Sequence, residues 1–402
     1  MNEFLRTNMK MNKLQLKSYS KIFVLIILLG TTTLLYLFLA GWRPNLDISG
    51  GYFQPSVNVK QTGMISAKSS PQAANVYLDG KLITSTNNSL SGIQPGMHKL
   101  KITKNGYVDW NKDIEVFPEL VTDITAVLIS QTPRIEPLTN TGATNPRLSY
   151  SLGKIAFFSK DTEAPGVWVL PLSGATSVNL FTNTAKNILK DTVYTTFSTG
   201  KNLTWSPEED QILIELNDSK FYLLDLGKND VQPVAKPNEL KDTWNKKLIK
   251  KRLDFISQLN LPAEILKAAS DENTSWSPDN KKFIYKTVDN NRMTYRIYNM
   301  EKPLPIGEKI ETVVFDYPST AVQPKISWYS DSFHLILTED YNEKDHKGKV
   351  SIIRIDGTNK IEIYNNTLFS DIVYSSPDGE KLIILTSFKS NNQNDLYTLG
   401  IK

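Results

Sequence analysis

The sequence predicts an all-β protein in three parts: an N-terminal transmembrane helix, a small β-sandwich, and a β-propeller of five blades, six being possible, with a helical insertion. Three observations predict it. Ile22 to Ala40 carries no charged residue. From about 63 to 130, short apolar runs alternate with turn dipeptides. After that, an aromatic or small polar residue repeatedly leads into a Ser/Pro/Asp turn and then an apolar run, as expected of radially repeated sheets that cannot bury their faces singly.

As a helix rising ~1.5 Å per residue, 22–40 comes close to the ~30 Å hydrocarbon thickness of a bilayer. Arg6, Lys10, Lys13, Lys17 and Lys21 precede it against Glu3 alone. The positive-inside rule therefore makes 1–21 a basic cytoplasmic tail and puts everything after Trp42 outside. A cleaved signal peptide would have an apolar core of ~7 to 15 residues and small side chains before the cut. Here the core is longer, Phe38 stands third before a cut after Ala40, and Trp42 and Arg43 suit an interface. The chain has 46 basic and 42 acidic residues; the tail's five and one leave 41 of each for the remainder. The basic pI of 8.8 thus belongs to the anchor, and no nucleic-acid partner is expected. Without cysteine, the chain has no disulfide, thiol chemistry or lipoprotein attachment.

Beyond a polar linker, 41–62, strands are expected at Met64 to Ser69 and Asn75 to Leu78. Asp79-Gly80 then makes a two-residue hairpin turn before Lys81 to Thr84. Pro95-Gly96 suits the centre of a type II turn. His98 to Lys104 alternates, Leu100 and Ile102 inward and Lys99, Lys101 and Thr103 outward. Asn105-Gly106 turns the chain again, and Ile114 to Val116 and Val121 to Ile129 complete an antiparallel sandwich over 63–130. The run Val76-Tyr77-Leu78-Asp79-Gly80-Lys81, with Pro95-Gly96, Gly106-Tyr107 and Trp110, resembles the PEGA domain of bacterial and archaeal surface proteins, the naming motif being degenerate as Pro71-Gln72-Ala73-Ala74. The resemblance implies a place outside the membrane and a structural or binding role.

The recurring turns are Trp205-Ser206-Pro207-Glu208, Trp276-Ser277-Pro278-Asp279, Trp328-Tyr329-Ser330-Asp331 and Ser375-Ser376-Pro377-Asp378-Gly379. A weaker copy, Tyr150 to Lys154, aligns Leu152 with Pro207. Each precedes one apolar strand, and a second follows: Val167 to Leu170, Phe221 to Leu224, Tyr295 to Tyr298, Ser351 to Arg354, Leu396 to Leu399. The spacing suits blades of ~40 to 50 residues, and the signature resembles TolB-type propeller repeats across Arg147 to Lys402. Within 131–402 the ring would close by borrowing Arg134 to Leu138, which protects an edge. A sixth blade could lie in Asn183 to Thr204 or Pro303 to Val322.

The insertion, 238–270, reads as a helix from about Glu239 to Asn260 and a short second helix capped by Asn260. Leu240, Trp244, Leu248, Phe255 or Ile256 and Leu259 form one stripe. Lys246, Lys247, Lys250, Lys251 and Arg252 fall on the other side. These five are the candidate partner-binding residues, facing anionic lipid or an envelope polyanion, or else a solvated face.

No Gly-x-Ser-x-Gly elbow occurs. His98, His334 and His346 share no metal-ligand spacing, so no cofactor, metal or catalytic residue is expected. His98 reads as a surface residue. The acidic run 338–346 lacks the order of a calcium loop and suits a hairpin tip. Asp279, Asp331 and Asp378 read as caps of their own turns, and Trp205, Trp276 and Trp328 as packing between blades. Asn-x-Ser/Thr matches, among them Asn87 with Asn88 as spacer, Asn202 and Asn273, carry little weight in a bacterial-looking chain. The function expected is a membrane-anchored extracytoplasmic binding or scaffold protein of the cell envelope, not an enzyme, with a protein or glycan partner. The alternative is a glycan-processing enzyme with paired carboxylates on the propeller face.

Overall fold

A computed structural model describes residues 21–37, 42–45, 58–172, 184–271, 273–388 and 393–402. Residues 21–37 form helix α1, exposed along 21–36. Its three central hydroxyls bond back into the helix: Thr31 and Thr32 donate to the Leu28 carbonyl at 3.0 and 2.9 Å, and Thr33 to Leu29 at 2.8 Å. A helix so arranged presents no unsatisfied polar group along its apolar surface. Among the described residues no helix is long and apolar enough to cross a membrane. Phe38 to Ala40, which complete the expected span, and the tail before Lys21 lie outside those residues. Within the expected linker, Trp42–Asn45 pairs antiparallel with Asn58–Gln61.

Contacts divide the chain into two units. One comprises Met1–Thr103, Asn111–Val127 and Pro305–Gly307, the other Lys104–Trp110, Leu128–Leu304 and Glu308–Lys402.

In the first unit, Asn88–Ile93, Gly63–Ser70 and Val121–Val127 make one sheet; Lys81–Ser85, Asn75–Leu78, Gly96–Thr103 and Trp110–Val116 make the other. Leu100 and Ile102 are buried while Lys99 and Lys101 are exposed, as a half-wet strand requires. Ile65, Ala67, Leu90 and Ile124 of one sheet and Val76, Leu78 and Ile114 of the other are buried. The sandwich is not wholly antiparallel: Gly63–Ser70 and Val121–Val127 run parallel, Met64 opposite Val121. The two strands are joined through most of the domain, so no hairpin dictates their direction. Asp79 and Gly80 both take positive φ, 50° and 80°, as a type I′ hairpin demands.

His98 is not a plain surface residue. Its Nδ1 lies 2.7 Å from Asp79 Oδ2 and its Nε2 2.7 Å from the Gln94 carbonyl. Burial opposes the charged imidazole, but Asp79 and the Gln94 carbonyl together hold its pKa above the ordinary value of 6.5. A folded pKa above the unfolded one means a stabilisation fully present below about pH 6.5 and lost as pH rises through the folded value. The sandwich is therefore expected to lose stability on going from pH 6 to pH 8, and His98→Gln to flatten that slope; an unchanged slope in urea titrations of the variant refutes the assignment.

The second unit is a propeller of five four-stranded antiparallel sheets. Blade I is Thr144–Leu148, Lys154–Ser159, Gly166–Pro171 and Lys186–Lys190; blade II is Asn202–Trp205, Gln211–Glu215, Phe221–Asp225 and Asp230–Pro233. Blade III is Ser275–Trp276, Lys282–Asp289, Arg292–Asn299 and Glu311–Pro318; blade IV is Lys325–Trp328, His334–Asn342, Lys347–Arg354 and Ile361–Thr367. Blade V is Tyr374–Ser375, Lys381–Thr386 and Asp395–Gly400, completed by Arg134–Pro137, which pairs with Asp395–Gly400, Ile135 opposite Leu399. The segments that could have hidden a sixth blade supply the outer strands of I and III.

Neighbouring blades meet through shared cores. Ala156 and Phe158 of I pack with Trp205 and Ile212 of II; Ile155 and Phe157 of I with Tyr374 and Ile383 of V; Ile284 and Tyr295 of III with Trp328 and Leu335 of IV. Helices α2 (Pro237–Ile256) and α3 (Ala263–Ser270) pack on blade III, Ile256, Ile265 and Ala269 against Trp276 and Phe283, while Lys241 of α2 meets Glu215 and the Phe221 ring of blade II. The expected cap at Asn260 is not one: the N-cap of α3 is Pro262, and Asn260, at φ 46°, turns the chain after α2.

Candidate functional site

The five turns that join the first and second strands of the blades share one geometry. The backbone N–H of Ser149, Ser206, Ser277, Tyr329 and Ser376 donates to the carbonyl five residues on, at Lys154, Gln211, Lys282, His334 and Lys381, at 2.8 to 3.0 Å. The residue three positions on, Leu152, Glu209, Asn280, Ser332 or Gly379, has a φ of 54° to 65°. In this register Tyr150, not Leu152, stands at the Pro207 position. The proline is missing from that copy, which removed the landmark.

The repeat aspartates cap their own turns. Asp279 Oδ1 accepts Lys281 N–H at 2.9 Å, Asp331 Oδ1 accepts Phe333 and His334 N–H at 2.8 and 3.0 Å, and Asp378 Oδ1 accepts Glu380 N–H at 2.9 Å. Burial raises the Asp331 carboxyl, yet His334 at 2.7 Å and the two N–H groups bring it below the ordinary value. Trp205 and Trp328 sit between blades as expected, Trp205 Nε1 donating to the Arg147 carbonyl at 3.0 Å and Trp328 Nε1 to that of Ser275 at 3.2 Å, whereas Trp276 packs against the inserted helices, with Ile256, Ile265 and Ala269.

The two copies that depart from the pattern build the site. Blade I has Ser151 where the acid should be, and Glu209 of blade II reaches across to cap it, accepting Ser151 N–H and, at 2.8 Å, Ser151 Oγ. Blade II has Glu208 at that position, and Asp210 takes the Ser206 hydroxyl at 2.7 Å instead. Glu208 is thereby released toward α2, with Lys251 at 3.6 Å and Lys247 at 4.0 Å.

The turns of blades I, II and III, the first strands of IV and V, and α2 border a cavity of about 780 Å³. Tyr150 and Glu209, Trp276 and Trp328, Tyr374 and, from the helix, Leu248, Lys251, Arg252 and Phe255 line it. All five blades contribute. Arg252 lies 5.2 Å from the centroid of the Trp276 ring. Burial lowers its pKa, with Tyr150 opposing, and burial likewise raises that of the Tyr150 hydroxyl.

Of the five predicted basic residues, Lys246 and Lys250 are exposed, Lys247 and Lys251 are exposed but face Glu208, and Arg252 is half-buried in the cavity wall. Arg252 does not share the exposed face of the lysines. Trp244, Leu248, Arg252 and Ile256 follow one another at i, i+4, which puts the arginine on the inward row. Tyr150, Glu208, Glu209 and Trp276 were not singled out as site residues; the Asp-to-Glu change at 208, in the copy adjoining the insertion, was the available signal. In the acidic run, Glu339 accepts from Lys360 Nζ at 2.7 Å and Asp340 from Lys349 Nζ at 3.0 Å, so neither is free for a cation.

Residues 62–131 match the sequence profile of the PEGA domain. The N-terminal sandwich is a PEGA domain. Within it, Tyr77, Lys99, Lys101 and Lys112 border a second, smaller hollow. Among curated proteins, no sequence matches the chain significantly. Solved structures similar to it include TolB of Acinetobacter baumannii, with 14% identity, 75% of this chain and a TM-score of 0.25; the chain spans 59% of that protein. The β-propeller domain of Cps50 (Swd1) from Myceliophteria thermophila has 11% identity, 66% of this chain, 86% of its own and a TM-score of 0.29. An oligogalacturonate lyase in complex with manganese has 13% identity, 67% of this chain, 70% of its own and a TM-score of 0.23. The blade assignment stands on the strand pairing.

Proposed function

We propose that the chain is a membrane-anchored extracytoplasmic binding protein of the cell envelope, which receives a protein or glycan partner at the turn end of its propeller. The observation that carries this reading is the cavity of about 780 Å³ bordered by the turns of blades I, II and III, the first strands of blades IV and V, and helix α2. Concave, aromatic-lined sites with a few charged groups are where ligands are held. The carboxylates at its edge, Glu208 and Glu209, are engaged by lysines and by the Ser151 turn, which favours binding over paired-carboxylate chemistry. The charge-free run 22–40 behind a basic tail supports an anchor with the cytoplasmic end at residue 1.

Because the native chain has no cysteine, single cysteines report topology cleanly. A membrane-impermeant maleimide on intact cells is expected to label Lys250→Cys and not Lys10→Cys; the reverse pattern defeats the envelope reading. A photo-cross-linking residue at Phe255 is expected to capture an envelope component that one at Gln232, on the outer strand of blade II, does not. Equal capture at both positions removes the ring mouth as the binding surface.

A further inference from the structure

Arg252 is the unusual charge of the ring mouth. It projects from the inward row of α2 and rests on the Trp276 ring, and among the described residues no carboxylate pairs with it. The acids that could neutralise it are committed elsewhere: both Glu209 oxygens to Ser151, and Glu208 to Lys247 and Lys251. Among the described residues the Tyr150 hydroxyl, on the same cavity wall, makes no hydrogen bond. A half-buried guanidinium without a counter-ion has lost hydration and gained only an aromatic face in return. Its planar fork of donors is shaped for two oxygens of one group, which an ammonium is not.

We infer that the ring mouth is an oxyanion site: the Arg252 guanidinium takes a carboxylate or phosphate, the Tyr150 hydroxyl supplies a further donor, and Trp276, Leu248 and Phe255 pack the apolar or planar group that bears it. The site deepens the binding reading above and rests on it for the place where a partner enters. Lys251, at the same rim, adds positive potential while tethered to Glu208. The lysines of α2 then hold the helix and draw an anion in, whereas the contact that selects it is made by the one cation turned inward.

The test uses the full chain in nanodiscs and three probes of one shape: phenylacetate, phenyl phosphate and neutral phenylacetamide, titrated by calorimetry. At least one anion is expected to bind about tenfold or more tightly than the amide, and Arg252→Gln to lose about that factor. Which anion binds better identifies the source, carboxylate or phosphate. Arg252→Lys, which keeps the charge but not the fork, is expected to bind several-fold more weakly with an unchanged thermal midpoint, and it decides the matter should the glutamine variant fail to fold. Undiminished binding by the folded variants, equal binding of the amide, or binding of neither anion by the parent overturns the site. Capture of a partner at Phe255 without anion binding would keep the binding protein and discard the oxyanion.

Discussion

Replacing Lys282 with alanine is expected to destabilise the propeller by about 3 to 5 kcal/mol, the usual result of removing one partner from a buried ion pair. Lys282 begins the second strand of blade III and is fully buried. Its Nζ lies 3.1 Å from Asp279 Oδ2, 3.1 Å from Glu301 Oε1 and 4.1 Å from the centre of the Phe333 ring in the blade IV turn. The ammonium is thus compensated by two acids and an aromatic face, and it joins two blades. Without it the two carboxylates face each other with no cation, and Glu301 Oε2 already lacks a hydrogen-bond partner. Adding Glu301→Gln to Lys282→Ala should recover part of the loss; a cost under about 1 kcal/mol in urea denaturation would show the pair to be worth no more than a surface one. The pH profile supplies a second check. Burial raises the Asp279 carboxyl, but Ser277, the Lys281 N–H and Lys282 bring it below its ordinary value of 3.8. A depressed carboxyl contributes stability above the unfolded pKa and loses it as pH falls through the folded one. The gap between parent and variant should therefore narrow on acidification below about pH 4, and a constant gap contradicts the mechanism.

The second large effect is expected at Asp395. This side chain is fully buried at the start of the last strand of the chain. Its Oδ1 accepts the Thr139 hydroxyl at 3.0 Å and the Gly142 N–H at 2.9 Å, and its Oδ2 the Gln393 amide at 3.2 Å. It therefore ties the segment after Arg134–Pro137 to the blade that this strand completes. Asp395→Ala strands those donors and is expected to cost about 2 to 4 kcal/mol, with faster hydrogen exchange along Arg134–Pro137. Glu136→Gln, which breaks only the exposed pair with Lys381 at 3.1 Å, should cost less than about 1 kcal/mol. Equal effects from the two variants would mean that strand pairing alone closes the ring.

The propeller was legible because its signal is local and repeated. A turn whose first N–H returns to a carbonyl five residues on favours a small or capping residue near its start, and the Ser/Pro/Asp run records that, whereas its left-handed position, filled by Leu152, Glu209, Asn280, Ser332 and Gly379, carries no common residue. The strand that closes the ring was legible for a related reason: an unpaired edge next to a free apolar run implies a pairing. The parallel pair in the PEGA domain was not, since nothing in two separate strands states their relative direction. Nor was His98, whose partners Asp79 and Gln94 are brought to it by a hairpin and a turn. The cavity was half legible. The insertion and its cations could be seen, but which cation turns inward depends on the row of α2 that meets blade III, and Arg252 shares that row with Trp244 and Ile256 only when the i, i+4 spacing is followed through a charged residue.

The closing strand also sets a timetable. The hydroxyl of Thr398 meets the carbonyl of Glu136 across 262 residues of chain, so at ~5 to 20 residues per second the ribosome delivers the second partner roughly 13 to 50 s after the first. The PEGA domain, encoded before either, can be complete when Arg134–Pro137 appears. For that whole interval the strand lacks the partner that pairs with it in the finished ring. Its pairing edge is satisfied only when Asp395–Gly400 arrive, and a chain that stops short of them would carry a bare strand.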